Sequence, residues 1–445
     1  MLYLSQLIGR PVRDRQGNRV ARISDLVVRL PPPVVEIEAA ARYDTYPHLH
    51  GLVARGGQAV AGFFIPLAAL GTLGPTGADL VGATVGLETF ARRPDELLLA
   101  GDLTDRPIID CRAAVVRRVN DLLIGSLADA GAITLAAPGG AALPAADLVL
   151  LGVDVGWTGF LRRLNLLGGT LGVLGALGKR LTPRILPWPD VALAGSGGAG
   201  GQAALRGLHP ADIARITSAL SYHEAAGLIA ALDDETAADV MEEVDPERAT
   251  DIMEQLPDAR AADIIEEMGP DDASDLLADL PQARAANLLR EMEPEAADDV
   301  RELLRYPEDS AGGLMTLSFI TCPRHYTVAA AIALLRSELD KPDLIYYLYI
   351  THGPEDHLLG VVTLRKLLIS GPTDRMDAIM RINPEAVQPN ENPREVARLM
   401  AEYNLLALPV VDSQGRLLGI VTVDDAIAVL LPSGRPRKFP HLFGA

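Results

Sequence analysis

Two hydrophobic periods divide this chain. Near the N-terminus, "GRPVRDRQGNRVARISDLVV" (Gly9–Val28) alternates apolar and polar positions on both sides of a polar turn, "DRQGN". That pattern predicts a β-hairpin continued by more strand. It recurs 96 residues later as "DRPIIDCRAAVVRRVNDLLI" (Asp105–Ile124). Arg10/Arg106, Pro11/Pro107, Asp14/Asp110, Val20/Val116, Arg22/Arg118, Asp25/Asp121 and Leu26/Leu122 coincide without a gap. The repeat predicts two small β-barrels of similar build within residues 1–160.

From residue 205 to 305 the pattern turns helical. Prolines fall at 246, 257, 270, 281 and 294, in steps of 11, 13, 11 and 13, so the true repeat is 24 residues and holds two short helices. Units such as "PERATDIMEQL" and "PDDASDLLADL" place a proline at the helix start, acids in the first turn, small alanines on the packing side and then paired aliphatics. Proline at the first helical position and early acids both suit a helix N-terminus. Short helices repeated this way stack into a superhelix with a continuous core. From 314 to 431 a second duplication appears: "TVAAAIALLRSELDKPDLIYYLYIT" with "HLLGVVTLRKLL" parallels "NPREVARLMAEYNLLALPVVDSQGRLLGIVTVDDAI". Each copy predicts a helix, a strand, a turn, a second strand and a closing helix. Gly360/Gly419 and Thr363/Thr422 recur at a spacing of 59.

The connecting stretches are distinct. Residues 161–204 carry an apolar run, "LNLLGGTLGVLGALG" (Leu164–Gly178), whose 15 residues fall short of the ~20 that cross a bilayer core. It is expected as a buried or interfacial helix, and no membrane span is predicted. The following "GSGGAGG" (Gly195–Gly201) satisfies the letters of a dinucleotide fingerprint at Gly195, Gly197 and Gly200. The fingerprint needs a strand before it and an acid about 20 residues on. Prolines break the preceding stretch and Ser221 stands near the acidic position, so a flexible linker is expected. His48 and His50 in "YPHLH" have no third ligand in view and are expected in a surface loop.

Charge changes the picture in one region only. The net charge is −19. Between Asp233 and Leu304 there are 24 acidic residues against 5 arginines and no lysine, so the rest of the chain balances. An acidic chain is a poor partner for nucleic acid or an anionic membrane. Most of these acids suit a solvated face, yet so dense a field repels itself and cations relieve the repulsion. Oxygen ligands with few His or Cys favour Mg²⁺ or Ca²⁺ over zinc. Two cysteines, Cys111 and Cys322, and an N-terminus without a signal-peptide pattern fit a reducing cytosol. There is no nucleophile elbow, Walker loop or ligand triplet in context, so a non-enzyme is expected.

Three resemblances follow from these motifs. The hairpin repeat resembles PRC-barrel domains, small β-barrels used for protein contacts. The tandem "GxVT" modules resemble a CBS-domain pair, which binds adenine nucleotides or relays conformational change. The order of acidic helices, "YPEDSAGGLMT" (Tyr306–Thr316) and CBS pair resembles the cytosolic region of MgtE-type magnesium channels over about 205–431. Together they imply a multi-domain α+β fold with tandem β-barrels, a central all-α superhelix, a hinge at 306–313, a CBS pair at 314–431 and a tail at 432–445.

The MgtE resemblance carries specific residues. It implies magnesium carboxylates at Asp239, Asp271, Asp275 and Asp425, while other carboxylate positions of the family are Asn392, Arg394, Asn404 and Ala428 here. Arg394 is positioned to pair with a helix carboxylate instead. The hinge residues are Glu308, Asp309, Gly312 and Gly313. The CBS resemblance places ribose-binding "TxxD" groups at Thr422 and Asp425. The first copy has Thr363 but Lys366 at the acid, one competent half-site with the lysine facing phosphate. No membrane domain follows residue 431 in this sequence. The expected function is therefore a cytoplasmic module that senses Mg²⁺ or an adenine nucleotide such as ATP and acts on a separate partner such as a metal-ion transporter. It would dimerise through the CBS pair. The alternative is a non-sensing adaptor that uses the CBS pair only as a dimerisation scaffold.

Overall fold

A computed structural model describes residues 1–30, 46–56, 62–82, 89–93, 95–132, 142–145, 147–163, 183–193, 205, 207–337, 345–353 and 356–430. The apolar run Leu164–Gly178, the glycine stretch Gly195–Gly201 and the tail lie outside them. The chain divides into two compact units, Met1–Ala231 and Leu232–Ala445.

The first unit is built on the hairpin repeat. In chain order its strands are β1 (Leu2–Tyr3), β2 (Pro11–Arg13), β3 (Arg19–Arg29), β4 (His48–Arg55), β5 (Phe63–Pro66), β6 (Leu70–Gly74), β7 (Gly77–Leu80), β8 (Glu96–Leu98), β9 (Pro107–Asp110), β10 (Val115–Arg118), β11 (Asp121–Ser126), β12 (Leu143–Pro144), β13 (Leu148–Asp154), β14 (Ile185–Pro187) and β15 (Val191–Leu193). Twelve of them form one sheet and β10, β9 and β15 a second. The two copies of the repeat interlock instead of standing side by side as separate barrels. β1, which opens the first copy, pairs with β11 of the second, Leu2 opposite Ile124. β8, which opens the second, pairs with β3 of the first, Leu97 opposite Val28. The copies also meet where β4 touches β13 at one pair, His48 opposite Val149.

The repeated aspartate secures this exchange. Asp25 is 8% exposed and accepts N–H bonds from Ala100 at 2.7 Å and Gly101 at 2.9 Å, in the helical turn Leu99–Leu103 that follows β8. Asp121, 2% exposed, accepts the N–H of Ser5 at 3.1 Å and its O–H at 2.6 Å, in the turn Leu4–Leu7 that follows β1. Each copy's aspartate thus caps the turn donated by its sister. Burial raises the Asp25 carboxyl pKa, opposed by its backbone N–H bonds.

Two sequence expectations change here. His48 and His50 lie in β4, not in a loop, with His50 stacked on Phe64 at 5.3 Å and 3.6 Å from Glu96. Within 161–204, expected as helix and linker, β14 and β15 join the first unit by pairing with β13 and β9. A helix at Trp157–Arg163 sends Arg162 inward, where it donates to Asp121 at 3.0 Å and Asp154 at 3.5 Å. Its guanidinium carbon lies 3.2 Å from the centre of the Tyr3 ring. Burial is the main cause that pushes the Tyr3 hydroxyl up to about 12.

Between Pro210 and Leu303 the described residues form eight short helices. The first two, Pro210–Ser218 and Tyr222–Ala230, belong to the first unit. In the second, six ten-residue helices run Asp234–Glu243, Pro246–Gln255, Asp258–Glu267, Pro270–Asp279, Gln282–Glu291 and Pro294–Leu303. The alanines and paired aliphatics turn inward as expected: Ala261, Ala262, Ile264 and Ile265 are all buried. The 24-residue period also appears in the polar contacts. Arg260 pairs with Asp234 and donates to the Leu232 carbonyl at 2.7 Å. Twenty-four residues on, Arg284 donates to Asp258 at 2.7 Å and to the Met253 and Leu256 carbonyls at 2.9 and 2.7 Å. Glu242 accepts the Gly269 N–H at 2.8 Å, and Glu266, one period later, accepts that of Glu293. These four acids bind neighbouring helices.

The second unit ends in the duplicated module. The first copy holds β16 (Thr321–Pro323), β17 (Tyr347–His352), β18 (His357–Thr363) and the helices Val328–Ser337 and Leu364–Ile369. The second follows β19 (Arg381–Ile382) with the helix Pro393–Tyr403, β20 (Ala407–Val411), β21 (Leu417–Thr422) and the helix Val423–Leu430. Strands are exchanged here too. Thr316, ahead of the first copy, pairs with Ile420 of the second, and β19, which opens the second, pairs with β18 of the first. The repeated glycines permit the crossing: a Cβ on Gly419 would lie 2.7 Å from Met315 Sδ, and one on Gly360 2.9 Å from Met380 Sδ.

Removing Arg162 would leave two buried carboxylates uncompensated, a change that typically costs about 3–5 kcal/mol. The chain's two tryptophans, Trp157 and Trp188, both lie in the first unit, so their fluorescence reports its unfolding. Arg162→Met is expected to lower the urea midpoint of that fluorescence transition accordingly. A loss below about 1 kcal/mol would mean that the cluster does not anchor the unit.

Candidate functional site

The segment expected as a hinge is a packed junction. Ala311 N–H donates to the Glu391 carbonyl at 2.9 Å and Gly312 N–H to that of Pro389 at 2.8 Å. Ser310, 4% exposed, donates its hydroxyl to the Pro307 carbonyl at 2.6 Å. Leu303, at the end of the last ten-residue helix, shares a core with Ala311, Met315, Val396 and Leu408. The helical series is therefore clasped to the second copy of the duplicated module. The two glycines serve close approach: a Cβ on Gly313 would lie 2.4 Å from the Pro307 carbonyl oxygen, and one on Gly312 2.6 Å from the Tyr306 ring. Glu308 and Asp309 are exposed on the outer side of the turn.

Immediately after the clasp the chain lines a small cleft between the two copies. Ser318, Phe319, Tyr346 and Tyr349 come from the first copy and Ile420 from the second. Two residues beyond Ile420, the Thr422 hydroxyl donates to the Asp425 carboxylate. The same edge holds Tyr346, whose hydroxyl pKa is raised by burial and then by the Asp424 and Asp425 charges. The structure thus joins Thr422 and Asp425 beside an aromatic cleft. Sequence reasoning identified the pair and missed the aromatic wall; the tyrosines of "LIYYLYI" were its visible trace. In the first copy Thr363 has another task, capping the helix Leu364–Ile369 by accepting the Lys366 N–H at 3.1 Å, with both residues exposed.

The carboxylates assigned to magnesium are more dispersed. Asp239 is exposed on the helix Asp234–Glu243; Asp271 and Asp275 lie on Pro270–Asp279, half-buried and exposed respectively. Asp425 is in the second copy of the module. Among the described residues, no three His, Cys, Asp or Glu side chains cluster closely enough to hold a metal ion. Two positions with amides in place of family carboxylates have local structural uses. Asn392 caps the helix Pro393–Tyr403 by accepting the Arg394 N–H at 2.9 Å, and Asn404 ends that helix at φ 52°. Asparagine suits both sites, the second because it tolerates the left-handed region. Arg394 is exposed and makes no ion pair among the described residues, so the expected bridge to a helix carboxylate is not formed.

Comparison with known proteins agrees with this arrangement. Residues 208–309 match the MgtE intracellular N domain and 376–432 the CBS domain. A solved structure of the cytosolic domain of the Mg²⁺ channel MgtE in complex with ATP is 33% identical, with a TM-score of 0.50; the match covers 52% of this chain and 94% of that one. This part of the chain belongs to the MgtE family. The magnesium transporters MgtE of Thermus thermophilus and Bacillus subtilis are 42% and 38% identical over 132 residues, 30% of this chain. That match spans only 29% of the length of each of those MgtE transporters. No described helix is long and apolar enough to cross a membrane.

Gly313→Ala tests the clasp. The methyl group cannot fit against the Pro307 carbonyl, and overpacking of this kind costs about 1–3 kcal/mol. Trypsin cleavage after Arg305 is expected to accelerate several-fold in the variant; an unchanged rate would mean that the junction is already loose.

Proposed function

We propose that this chain is a cytoplasmic regulatory module that senses an adenine nucleotide such as ATP in the CBS cleft and Mg²⁺ at the acidic helices. It passes the result to a separate partner such as a metal-ion transporter and carries out no catalysis itself. The observation that carries this reading is the placing of the Thr422–Asp425 pair beside a cleft whose wall, Ser318 and Phe319, continues directly from the clasp. A carboxylate and a hydroxyl together suit the two hydroxyls of a ribose. A ligand there would press on the same strand that holds the helical series, since Thr316 is bonded to Ile420, which lines the cleft. Mg²⁺ enters through Asp239, Asp271, Asp275 and Asp425, which would have to converge as the acidic helices and the CBS pair come together. Lys366 would face a phosphate in the first copy. The N-terminal interlocked unit, with its PRC-barrel-like hairpins, serves as the docking part.

A second reading is supported by exposed apolar side chains on the CBS pair, two at the end of the first copy and one on the strand that opens the second. Leu368, Ile369 and Ile382 are 75%, 67% and 65% exposed. Such residues suit a homodimer through the CBS pair, and an adaptor would need nothing more.

Limited trypsin digestion at Arg305 and Arg324, both exposed, separates the readings. A sensor is expected to be protected by ATP or millimolar Mg²⁺, since a ligand at a hundred times its Kd stabilises by about 2.7 kcal/mol. Asp425→Asn should abolish the ATP effect, and Asp239→Ala with Asp271→Ala the Mg²⁺ effect. Protection that NaCl of equal ionic strength reproduces would leave the adaptor.

A further inference from the structure

The acidic net charge of the chain conceals a basic surface on its first unit. Met1–Ala231 carries 21 basic residues against 19 acids. Five of those acids, Asp25, Glu96, Asp110, Asp121 and Asp154, are buried. Arginines behave differently: Arg10, Arg15, Arg19, Arg22 and Arg55 are all exposed. Negative charge is thus drawn inside while positive charge stays in solvent.

Strand register gathers these arginines on one face. Val12 of β2 lies opposite Ala21 of β3, and Ile23 of β3 opposite Ala54 of β4; all four belong to the core. Successive residues of a strand point to opposite sides, so the next positions along turn outward. They are Arg13 opposite Arg19, across a bulge, and Arg22 opposite Arg55. Arg13 is 3.8 Å from Asp79, whereas Arg19, Arg22 and Arg55 form no ion pair among the described residues. The hairpin's own acid, Asp14, is engaged by the N–H groups of Gln16 and Asn18 at 2.9 and 2.8 Å. Like charges directly opposite one another destabilise a strand pair. Arg22 and Arg55 are such a pair, and an anion bound between them would turn the repulsion into attraction.

We propose that this arginine face binds an anionic phospholipid bilayer, its guanidinium groups donating to lipid phosphates and carboxylates. The planar guanidinium fork matches both acceptors. The outer side of a sheet is broad, so it meets a headgroup layer at several points at once, and each arginine adds to the attraction. The proposal rests on the docking role given above to the first unit and supplies its surface, because a metal-ion transporter lies in a membrane. The −19 charge that makes the whole chain a poor partner for such a membrane arises between Asp233 and Leu304, outside this face.

The test is co-sedimentation of the full chain with vesicles of phosphatidylcholine alone or mixed equally with phosphatidylserine, over a range of NaCl. Binding is expected only to the mixed vesicles, and is expected to weaken as salt screens the arginines. Arg19→Glu with Arg55→Glu should weaken it about 25-fold, the effect of two arginines at a lipid surface. Each new glutamate stands opposite an arginine, so the urea midpoint of tryptophan fluorescence should not fall. Arg15→Glu, in the turn between the strands, should weaken binding about fivefold. Arg336→Glu with Arg381→Glu, both exposed in the second unit and equal in charge, should leave binding unchanged. Equal binding to phosphatidylcholine alone, no binding to mixed vesicles at low salt, or equal loss in the two double variants would overturn the arginine face. Capture of single-stranded RNA without capture of vesicles would overturn the lipid partner. Trypsin protection by ATP or Mg²⁺ is expected to survive in the Arg19→Glu, Arg55→Glu chain, so loss of lipid binding and loss of ligand sensing are read separately.

Discussion

The first unit depends on an aspartate that each copy of a repeat extends to the other. Asp25 caps the turn after β8 and Asp121 the turn after β1, so neither copy can complete its sheet without its sister's opening strand. Short strands are weak on their own, and β1 is only two residues long. A buried carboxylate that accepts backbone N–H bonds offsets that weakness, because charge-assisted bonds in a low-dielectric interior are strong. On the second copy Arg162 adds a cation to the same carboxylate, tying the helix Trp157–Arg163 to the joint.

The CBS pair uses the same device without the charges. Its opening strands are crossed, and the glycines of "GxVT" make room for a methionine from each crossing strand. This geometry gives the clasp its importance. The crossing strand of the first copy is the continuation of the helical series, so the connection from the acidic helices to the cleft wall passes through a short segment in which Ala311, Gly312 and Thr316 are hydrogen-bonded to the second copy. A signal along that path needs no loose joint.

The acidic helices combine two uses of negative charge. Asp234, Asp258, Glu242 and Glu266 recur at the 24-residue period and hold successive helices together through arginines and backbone N–H groups. Asp239 and Asp275 lie on exposed faces of the same helices. Part of the region's negative charge thus serves its architecture, while the net charge remains what the composition gives.

Much of this was legible in the sequence because it is periodic. The 96-residue hairpin repeat, the 24-residue helix pair and the 59-residue "GxVT" spacing fixed the elements and the duplications, for a period of two or 3.6 residues is a local property of the chain. The pairing of Asp25 with Asp121 across the repeat was likewise visible as identity. What the copies exchange was not, since strand pairing between distant segments leaves no local mark. The placing of His50 in a strand, the packing of Gly312 and Gly313 against Tyr306 and Pro307, and the buried hydroxyl of Tyr349 all depend on neighbours far away in the chain. The sequence by itself determined which modules exist and how often they repeat. Only the tertiary structure decided that the copies interlock and that Thr422 and Asp425 meet an aromatic wall, because crossing strands bring together residues that no local period relates.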